Sequence, residues 1–306
     1  MKTSHFVVIF SAFMLFTAAG CGRGQKPQLT SDQLQNAEKS KYVFALVAKS
    51  QSNPVFESAR FGAEDAAREV GQRLEGVSGI SVSCTEAATL TPAINRAVDG
   101  GVAVMCFDSD APESERFCYF GTDDQACGHL IMRELASVLG PGHHVVAIPG
   151  GDQNSLNIQN RVNGALAEAT NFPNITVRGV YYSKEVPQDA AAQMEQVQTT
   201  NPDIDGWAMV GSWALFTDAL LKWEPGKIKI VAMDALPAEL PYLKEGIVQK
   251  LYAQQTYQWG WQSVELLAEK VIQHHSPAVI QYSPLIPVTG TNADEFQANW
   301  KKWLHQ

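Results

Sequence analysis

The sequence predicts an α/β protein with two lobes, each built around a parallel sheet that helices cover. Apolar runs of strand length alternate with segments whose apolar residues recur at helical spacing, which is the pattern of strand–helix–strand units. This alternation occurs in two series, separated by a break at Pro141-Gly142. A chain of 306 residues is also long enough to form two hydrophobic cores.

The N-terminus has the pattern of an export signal, which we expect to comprise residues 1–20. Lys2 precedes an apolar run over residues 6–16 that is too short to cross a bilayer, and small residues follow up to Cys21. This pattern predicts lipidation at Cys21 and a membrane-anchored lipoprotein of the cell envelope. Simple secretion and an uncleaved anchor are the alternatives. Residues 21–41 are polar without apolar periodicity, so we expect a tether.

The first series is organised around residues 42–71. Residues 42–48 are almost all apolar, as in a strand covered on both faces. Asn53 and Pro54 suit a helix start, apolar positions then recur at helical spacing, and Gly71 suits the position after the helix. Further strands are predicted at residues 79–84, 102–107 and 116–120, with helices at 91–98 and from 124 to 139.

The second series repeats the alternation after the break. Its predicted strands are residues 144–148, 175–182, 206–210, 228–233 and 248–253. Its predicted helices are residues 158–169, 190–198, 215–223, 238–245 and 259–273. Residues 291–306 have the apolar spacing of an additional amphipathic helix packed on the surface, for which a role in partner binding is an alternative.

Composition argues against several classes of protein. The net charge of −9 at pH 7 and the lack of a Lys/Arg cluster argue against a nucleic-acid partner. With 45% hydrophobic and 18% charged residues, the composition indicates neither a disordered chain nor a multi-span membrane protein. Cys84, Cys106, Cys118 and Cys127 form no CxxC pair, so we expect no zinc site. One disulfide is possible in an oxidising compartment, and its pairing stays open.

Polar and aromatic residues cluster where the predicted strands end, which is the edge at which open parallel sheets bind ligands. The candidate ligand-binding residues are Lys49, Asn53, Phe56, Asp108, Ser109, Arg161, Ser212, Trp213, Asp234 and Gln254. Carboxylates, amides and a guanidinium hydrogen-bond hydroxyl groups, and aromatic rings cover the apolar faces of a sugar. Because the chain has no GxGxxG motif and no P-loop, we expect a small neutral sugar or polyol and no cofactor.

Each candidate also has an ordinary structural interpretation. Asp108 or Asp234 could cap a helix, Arg161 could form a surface ion pair, and Trp213 could belong to the core. The adjacent histidines at positions 143–144 and 274–275 cannot share one face of a helix or strand, so we expect no metal site there. No GxSxG or HExxH signature is present, so the chain is not expected to be an enzyme.

Six stretches of the chain, taken in order, resemble the ribose/galactose-type periplasmic sugar-binding proteins of ABC importers, which are relatives of lac-repressor effector domains. The stretches are residues 44–69, 79–112, 116–128, 157–169, 208–220 and 228–267. The resemblance implies two Rossmann-like lobes joined by a three-segment hinge near residues 121–123, 254–256 and 284–287. The N-terminal lobe would comprise residues 42–122 and 255–284, and the C-terminal lobe residues 123–254 and 285–306.

The resemblance also implies roles for individual residues. Asn53 and Phe56 match ligand contacts of the first loop, Asp108 and Asp234 match a carboxylate in each lobe, Arg161 matches the arginine of the second lobe, and Gln254 matches the hinge amide. The implied function is a monomeric solute-binding protein that delivers a monosaccharide or related polyol to an ABC permease. A ligand-sensing subunit for a chemoreceptor or histidine kinase, or an exported sugar-acting enzyme, is the alternative.

The chain departs from the family pattern between residues 71 and 79. The family has an additional strand and helix there, and this chain has only a few residues. Because the additional strand lies at the edge in the order 2-1-3-4-5, its loss is compatible with the fold. We therefore expect a first lobe that lacks one edge strand and one helix, with the strand at residues 42–48 left at the edge.

Overall fold

The computed structural model describes residues 7–10, 42–50, 53–70 and 77–306. The predicted lipidation site Cys21, the predicted tether and Gly71 lie outside the described residues, and only residues 7–10 of the predicted export signal are among them. Within the described part of the chain, no helix has the length and apolar composition needed to cross a membrane.

The described residues alternate between strands and helices along most of the chain. The strands are β1 (Val7–Phe10), β2 (Phe44–Val47), β3 (Gly79–Val82), β4 (Ala103–Phe107), β5 (Cys118–Gly121), β6 (His144–Gly151), β7 (Ile175–Tyr182), β8 (Ile204–Met209), β9 (Lys229–Met233), β10 (Lys250–Ala253), β11 (Ile280–Tyr282) and β12 (Ile286–Val288). The helices are α1 (Val55–Val70), α2 (Ala87–Asp99), α3 (Asp124–Leu139), α4 (Leu156–Ala169), α5 (Pro187–Thr200), α6 (Leu240–Lys244), α7 (Thr256–Val271) and α8 (Ala293–Trp303).

The strands form two sheets, each the centre of one lobe. The second sheet has the order β12-β10-β9-β8-β6-β7, in which β12 is antiparallel to β10 and the other pairs are parallel. Its strands β6 to β10 therefore follow the order 2-1-3-4-5 that the resemblance implies. The first sheet has the order β1-β2-β3-β4-β5-β11. The prediction of an α/β protein with two lobes of mainly parallel strands is confirmed.

Among the described residues, the first sheet has no strand that would correspond to β7 of the second sheet, as expected, but the expectation that residues 42–48 are left at the edge is wrong. In the described part of the chain, β1 occupies that edge and pairs antiparallel with β2, with Val7 opposite Val47 and Phe10 opposite Phe44. The remaining neighbours β2, β3, β4, β5 and β11 are all parallel. The apolar edge of β2 is thus covered by a segment that the sequence predicts to be part of the export signal.

The chain passes between the two sheets at three places. It leaves the first sheet after Gly121 and enters α3, which packs on β8 and β9. It returns between β10 and α7, a helix that packs on β2 to β5. It crosses again between β11 in the first sheet and β12 in the second. Side chains on all three connections are therefore placed between the lobes.

The structure differs from the predicted elements in the second half of the chain. The helix predicted at residues 215–223 is wrong, because two 3-10 turns, Trp213–Phe216 and Ala219–Lys222, flank an extended Thr217. The Thr217 hydroxyl accepts a hydrogen bond from the backbone of Ala219, and Tyr242 donates to the carbonyl of Thr217, so side chains replace helical hydrogen bonds there. The short strands β11 and β12 were not predicted, because three residues show no clear periodicity.

Candidate functional site

Two equivalent turns, one in each lobe, carry the predicted carboxylates. Asp108 follows β4 and Asp234 follows β9, and both have left-handed backbones with φ of 58° and 68°. The backbone N–H of Asp108 donates to Phe120 O (3.2 Å), and that of Asp234 donates to Tyr252 O (2.9 Å). A left-handed backbone is costly for most residues but tolerable for Asp, so these turns aim each carboxylate away from the preceding strand.

The carboxylate of Asp108 is held by residues of the first lobe. Lys49 Nζ lies 3.1 Å from Asp108 Oδ2, and Ser83 Oγ donates to the same oxygen at 2.5 Å. The hydroxyl of Tyr119 donates to the backbone carbonyl of Asp108 at 2.9 Å. All these groups are buried, and among the described residues both carboxylate contacts go to Oδ2. Lys49 and Ser83 thus hold the Asp108 carboxylate through Oδ2.

A chain of hydrogen bonds links the second lobe to the hinge. Arg161 donates from Nε to Asp124 Oδ1 (2.7 Å), from Nη2 to Gln254 Oε1 (2.9 Å) and from Nη1 to Val210 O (3.2 Å). Gln254 Nε2 donates in turn to Asp234 Oδ1 (2.8 Å). Thr122 also donates to Gln254 Oε1 at 2.8 Å. Because Thr122 and Gln254 lie on two of the three connections, the hinge and the predicted site form one network.

Close helix packing places the residues at one end of this network. Arg161 lies on α4 and Asp124 begins α3, and these helices approach through Gly128 and Gly164. A Cβ at Gly128 would lie 1.9 Å from Arg161 O, and one at Gly164 would lie 2.2 Å from Gln125 O. Only glycine allows such an approach, so the backbone contact sets the distance at which Arg161 and Asp124 meet.

Burial has the largest effect on the pKa values of these groups. Burial raises the pKa of Asp124 to about 6, although Arg161 opposes the shift. Burial also raises the pKa of Asp234, while Arg161 and the Gln254 hydrogen bond lower it. Asp108 raises and Lys49 lowers the pKa of Asp234 as smaller effects, which places these first-lobe charges within electrostatic reach of the second-lobe carboxylate. Burial is the largest effect on Arg161 and opposes its charge, but Asp124, Cys127 and Asp234 together raise the pKa of the arginine.

The two residues predicted in the first loop have structural partners. Asn53 Oδ1 accepts a hydrogen bond from Val55 N at 3.2 Å, so this side chain caps the start of α1. The ring of Phe56 is buried against Phe107 and Trp259, with centroids 6.2 and 6.1 Å away. The structure thus places Phe56 in the core of the first lobe, where it packs against β4, the strand that precedes Asp108.

Ser109, Ser212 and Trp213 lie beside the two turns and are buried. The hydroxyl of Ser109 has no hydrogen-bond partner among the described residues. The ring of Trp213 packs on the backbone of two glycines, since a Cβ at either Gly151 or Gly211 would lie 2.3 Å from it. Trp213 therefore fills space next to the strand ends, and the residue is 5% exposed.

Four further polar residues belong to this region and were missed. Ser83 and Asp124 hold Asp108 and Arg161 as described above. Asn157 lies four residues before Arg161 on the same face of α4, and its buried Oδ1 has no partner among the described residues. This spacing could have identified Asn157. Asp124 could have been found because Asp123 already caps α3 by accepting from Ala126 N, which leaves the second acid free.

Glu185 is the fourth missed residue, and nothing in its sequence context indicates a role. It follows β7 with a φ of 60°, and its Oε1 accepts from Asp152 N at 3.3 Å. Burial raises its pKa, and Lys49, Asp108 and Arg161 act on it as smaller effects. The carboxylate therefore lies near the same charged groups as Asp234.

The whole arrangement is suited to holding hydroxyl groups. Hydrogen-bond acceptors come from Asp108, Asp234 and Asn157, and donors come from Arg161 and the serine hydroxyls. In the described ranges, no group of three or more His, Cys, Asp or Glu side chains is arranged to hold a metal ion. Ser155 Oγ, in the second lobe, donates to Thr85 O of the first lobe at 3.3 Å, so the rims of the two lobes touch beside the site.

A family model described as "Periplasmic binding protein domain" matches residues 73–274 of the chain. None of the curated proteins compared with the chain matches it. Among solved structures, an ABC transporter solute binding protein from Burkholderia graminis, in complex with D-arabinose, is similar with a TM-score of 0.77 and 24% identity. The similarity covers 83% of this chain and 96% of that one.

Two further solved structures are similar to the chain in the same way. A glucose-galactose binding protein from Geobacillus stearothermophilus has a TM-score of 0.74 and 22% identity, covering 83% of this chain and 99% of its own. An ABC transporter solute binding protein from Agrobacterium vitis, bound with α-D-tagatopyranose, has a TM-score of 0.76 and 19% identity, covering 83% and 97%. At these identities the structural similarity shows the fold alone.

Proposed function

Because the chain belongs to the family of periplasmic binding protein domains, we propose that it captures a monosaccharide or related polyol between its lobes and delivers it to an ABC permease. The observation that carries the proposal is the network between the strand ends, in which Asp234, Gln254 and Arg161 join the hinge. Solved relatives of the same fold were obtained with sugars such as D-arabinose and α-D-tagatopyranose, which supports a sugar ligand.

Selectivity follows from the burial of the polar groups. Asp108, Asp234, Arg161 and Gln254 are each at most 7% exposed, so a ligand hydroxyl that reaches them loses its water. A hydroxyl left without a partner after this desolvation would cost about 1–3 kcal/mol. A sugar whose hydroxyls match the acceptors and donors is therefore bound, and an epimer with one mismatched hydroxyl is rejected.

Lobe closure is the second part of the proposed mechanism. The three connections allow the lobes to rotate about the hinge, which is a common motion of two-lobed binding proteins. The contact between Ser155 and Thr85 supports a closed arrangement, in which we propose that both carboxylate turns reach the same ligand. We propose that a permease recognises the closed form. We propose that the protein works as a monomer.

The contacts of two acidic side chains support a protein that binds its sugar without reacting with it. Asp108 Oδ2 already contacts Lys49, and Asp124 Oδ1 already accepts a hydrogen bond from Arg161, so neither oxygen is directed at a proton of a bound sugar. We therefore propose that the cleft binds its ligand and returns it unchanged.

The proposed location of the protein follows from its membership of the family of periplasmic binding protein domains. Periplasmic binding proteins work in the cell envelope, and we propose that lipidation of Cys21 anchors this one to a membrane. The test is the intact mass of the protein purified from membranes. A diacylglyceryl-modified chain that begins at Cys21 is expected, and a Cys21→Ser variant should be found in the soluble fraction. An unmodified cysteine in the envelope protein would contradict the anchor.

The sugar-binding proposal is tested by thermal shift and calorimetry with a panel of D-arabinose, D-galactose, D-allose, D-tagatose and myo-inositol. At least one compound should raise the melting temperature and bind at 1:1 stoichiometry, and it should be recovered unchanged after incubation. Turnover of the bound sugar would show that the protein is an enzyme. Failure of every neutral compound to bind, while a charged metabolite does, would overturn the proposed ligand class.

A further inference from the structure

The C-terminal helix α8 is attached to the turn that carries Asp234. Ala293, Phe296 and Trp300 form its buried face against the second lobe. Trp300 Nε1 donates a 2.8 Å hydrogen bond to the backbone carbonyl of Ala235, the residue that follows Asp234. The bond is buried and joins residues that are 65 positions apart in the sequence. Because the backbone at Asp234 is left-handed, a fixed neighbouring carbonyl helps to hold this strained turn.

The end of the same helix contacts the first lobe. The ring of Trp303 stacks on Tyr257 of α7, with centroids 6.2 Å apart and planes inclined by 22°. His305 Nε2 lies 2.9 Å from Asp65 Oδ2 on α1, and its ring lies 4.8 Å from the ring of Phe61. Tyr257 also donates to Asp65 Oδ2 at 2.7 Å, so the two first-lobe contacts share one carboxylate.

The two attachments are connected within α8. Trp300 and Trp303 pack edge to face, with ring centroids 5.5 Å apart, and Phe296 packs on Trp303 at 5.9 Å. Aromatic pairs in this arrangement are stabilising beyond the area that they bury. A movement of the first lobe at Tyr257 is therefore transmitted through Trp303 and Trp300 to the turn at Asp234.

We propose that α8 is a positioning element of the ligand cleft and a fourth, non-covalent connection between the lobes. Trp300 fixes the turn that presents Asp234, while Trp303 and His305 tie that turn to α1 and α7 of the first lobe. The inference rests on the proposed function, because Asp234 is one of the proposed ligand-binding carboxylates. Neither Trp300 nor Trp303 touches the ligand in this mechanism, and both act through Asp234 and the hinge.

Hydrogen exchange in the sugar-free protein tests the positioning role without requiring any ligand. In a Trp300→Phe variant, which keeps an aromatic ring but loses the N–H donor, peptides covering residues 234–239 should exchange about fivefold faster. A Trp303→Ala variant, which leaves the Trp300 bond in place, should also accelerate exchange at residues 234–239. Asp294→Asn is the matched control, because it removes only the contact of Asp294 with Lys244 on the second lobe.

The affinity for the panel sugar that gives the largest thermal shift provides the second measurement. Trp300→Phe and Trp303→Ala should each weaken it by about threefold or more, and Asp294→Asn should leave it unchanged. Unchanged exchange at residues 234–239 in both tryptophan variants would overturn the proposal. Equal acceleration in every peptide of the second lobe would also overturn it, because that result indicates general destabilisation. If no panel sugar binds, the exchange result still decides the positioning role.

Discussion

Arg161 keeps its charge inside the protein because Asp124 lies beside it. The guanidinium is 2% exposed and also donates to Gln254 and Val210. Truncation of Arg161 would leave Asp124 as a buried carboxylate without its cation, which is strongly destabilising, typically by about 3–5 kcal/mol. A change of affinity in such a variant would therefore be mixed with a loss of stability. Asp108 offers a cleaner test of binding.

Asp108→Asn is expected to weaken sugar binding more than tenfold. Asn tolerates the left-handed backbone at this position and keeps the side-chain shape, but it replaces one carboxylate oxygen with a donor. The measurement is calorimetric affinity for the best panel sugar, with unfolding by urea as a separate measure of stability. Glu113→Gln, an exposed change on the same loop, is the control. Equal affinities of Asp108→Asn and the wild type would place the cleft elsewhere.

The titration of Asp124 predicts a pH dependence of stability. Its pKa is about 6 in the folded protein, against an ordinary value of 3.8, so the folded state binds the proton more tightly. The stabilisation from this proton is complete below the ordinary pKa and is lost as pH rises to about 6. An Asp124→Asn variant cannot bind this proton, so the change in melting temperature that the substitution causes should depend on pH. The melting temperature of the variant minus that of the wild type should be larger at pH 7 than at pH 4. An equal difference between the two melting temperatures at both pH values would refute the raised pKa of Asp124.

The cysteines are predicted to be unreactive in the folded protein. Cys84, Cys106, Cys118 and Cys127 are all buried thiols, and burial raises the pKa of Cys118 to about 11 and that of Cys127 to about 12. A hydrogen bond with Cys84, together with burial, raises the pKa of Cys106. Because the thiolate is the reactive form, a disulfide reagent should label none of the four in the native state.

Labelling of the unfolded protein is the control for the prediction on the thiols. It also tests whether two of the cysteines form a disulfide, whose pairing the sequence leaves open. Cys84 Sγ and Cys106 Sγ are 3.7 Å apart, the separation of two thiols in contact. After unfolding, all four of these thiols should be labelled if the pair is reduced, and only Cys118 and Cys127 among them if oxidation during export has joined Cys84 to Cys106. Rapid labelling of any of these four cysteines in the native protein would show that their burial is wrong.

At the scale of secondary structure, most elements could be predicted from periodicity and most errors have a local cause. Strands β4 and β9 were placed within one residue because both are short apolar runs that end at an Asp. The helix predicted at residues 215–223 failed because Thr217 and Tyr242 supply competing hydrogen bonds, and Tyr242 lies 25 residues away from Thr217. Helix α2 begins at Ala87, four residues before its predicted start at Thr91. The hydroxyl of Thr91 donates a hydrogen bond to the carbonyl of Ala87 within this first turn.

The packing of α3 on α4 gives a prediction at the same scale. Gly128→Ala should destabilise the protein by about 1–3 kcal/mol, because the added Cβ meets the backbone of Arg161 and forces the helices apart. The same displacement should weaken sugar binding, since Arg161 moves with α4. Urea unfolding and calorimetry measure the two effects. Gly100→Ala is the control, because its Cβ would lie 3.4 Å from its nearest neighbours and its φ of −76° suits alanine. A stability for Gly128→Ala equal to that of the control would contradict the packing argument.

At the scale of the whole molecule, the two lobes are alike except at one edge. The second lobe has β7 next to β6, whereas the first lobe has β1 next to the corresponding strand β2. Exposed apolar edge strands pair readily with other chains, so the cover over β2 matters for solubility. If processing removes residues 1–20 as the sequence predicts, this cover is removed with them.

Hydrogen exchange of β2 tests this consequence. A chain that begins at Cys21 is expected to exchange faster at residues 44–47 than the chain with residues 1–20, because the outer amides of β2 lose their antiparallel partner. Peptides from β4, which lies between β3 and β5, serve as the internal control and should be unchanged. Equal protection of β2 in both chains would mean that β1 contributes no pairing.

The sequence by itself determined the alternation of strands and helices, the two lobes, and the carboxylates that end β4 and β9, because these features depend on local periodicity and on position along the chain. It also indicated Arg161 and Gln254 as candidates. Only the tertiary structure decided that Asp124 holds Arg161 and that Trp300 holds the turn at Asp234. These contacts join residues that are 37 and 65 positions apart. Their partners depend on sheet order and helix packing, which no local pattern records.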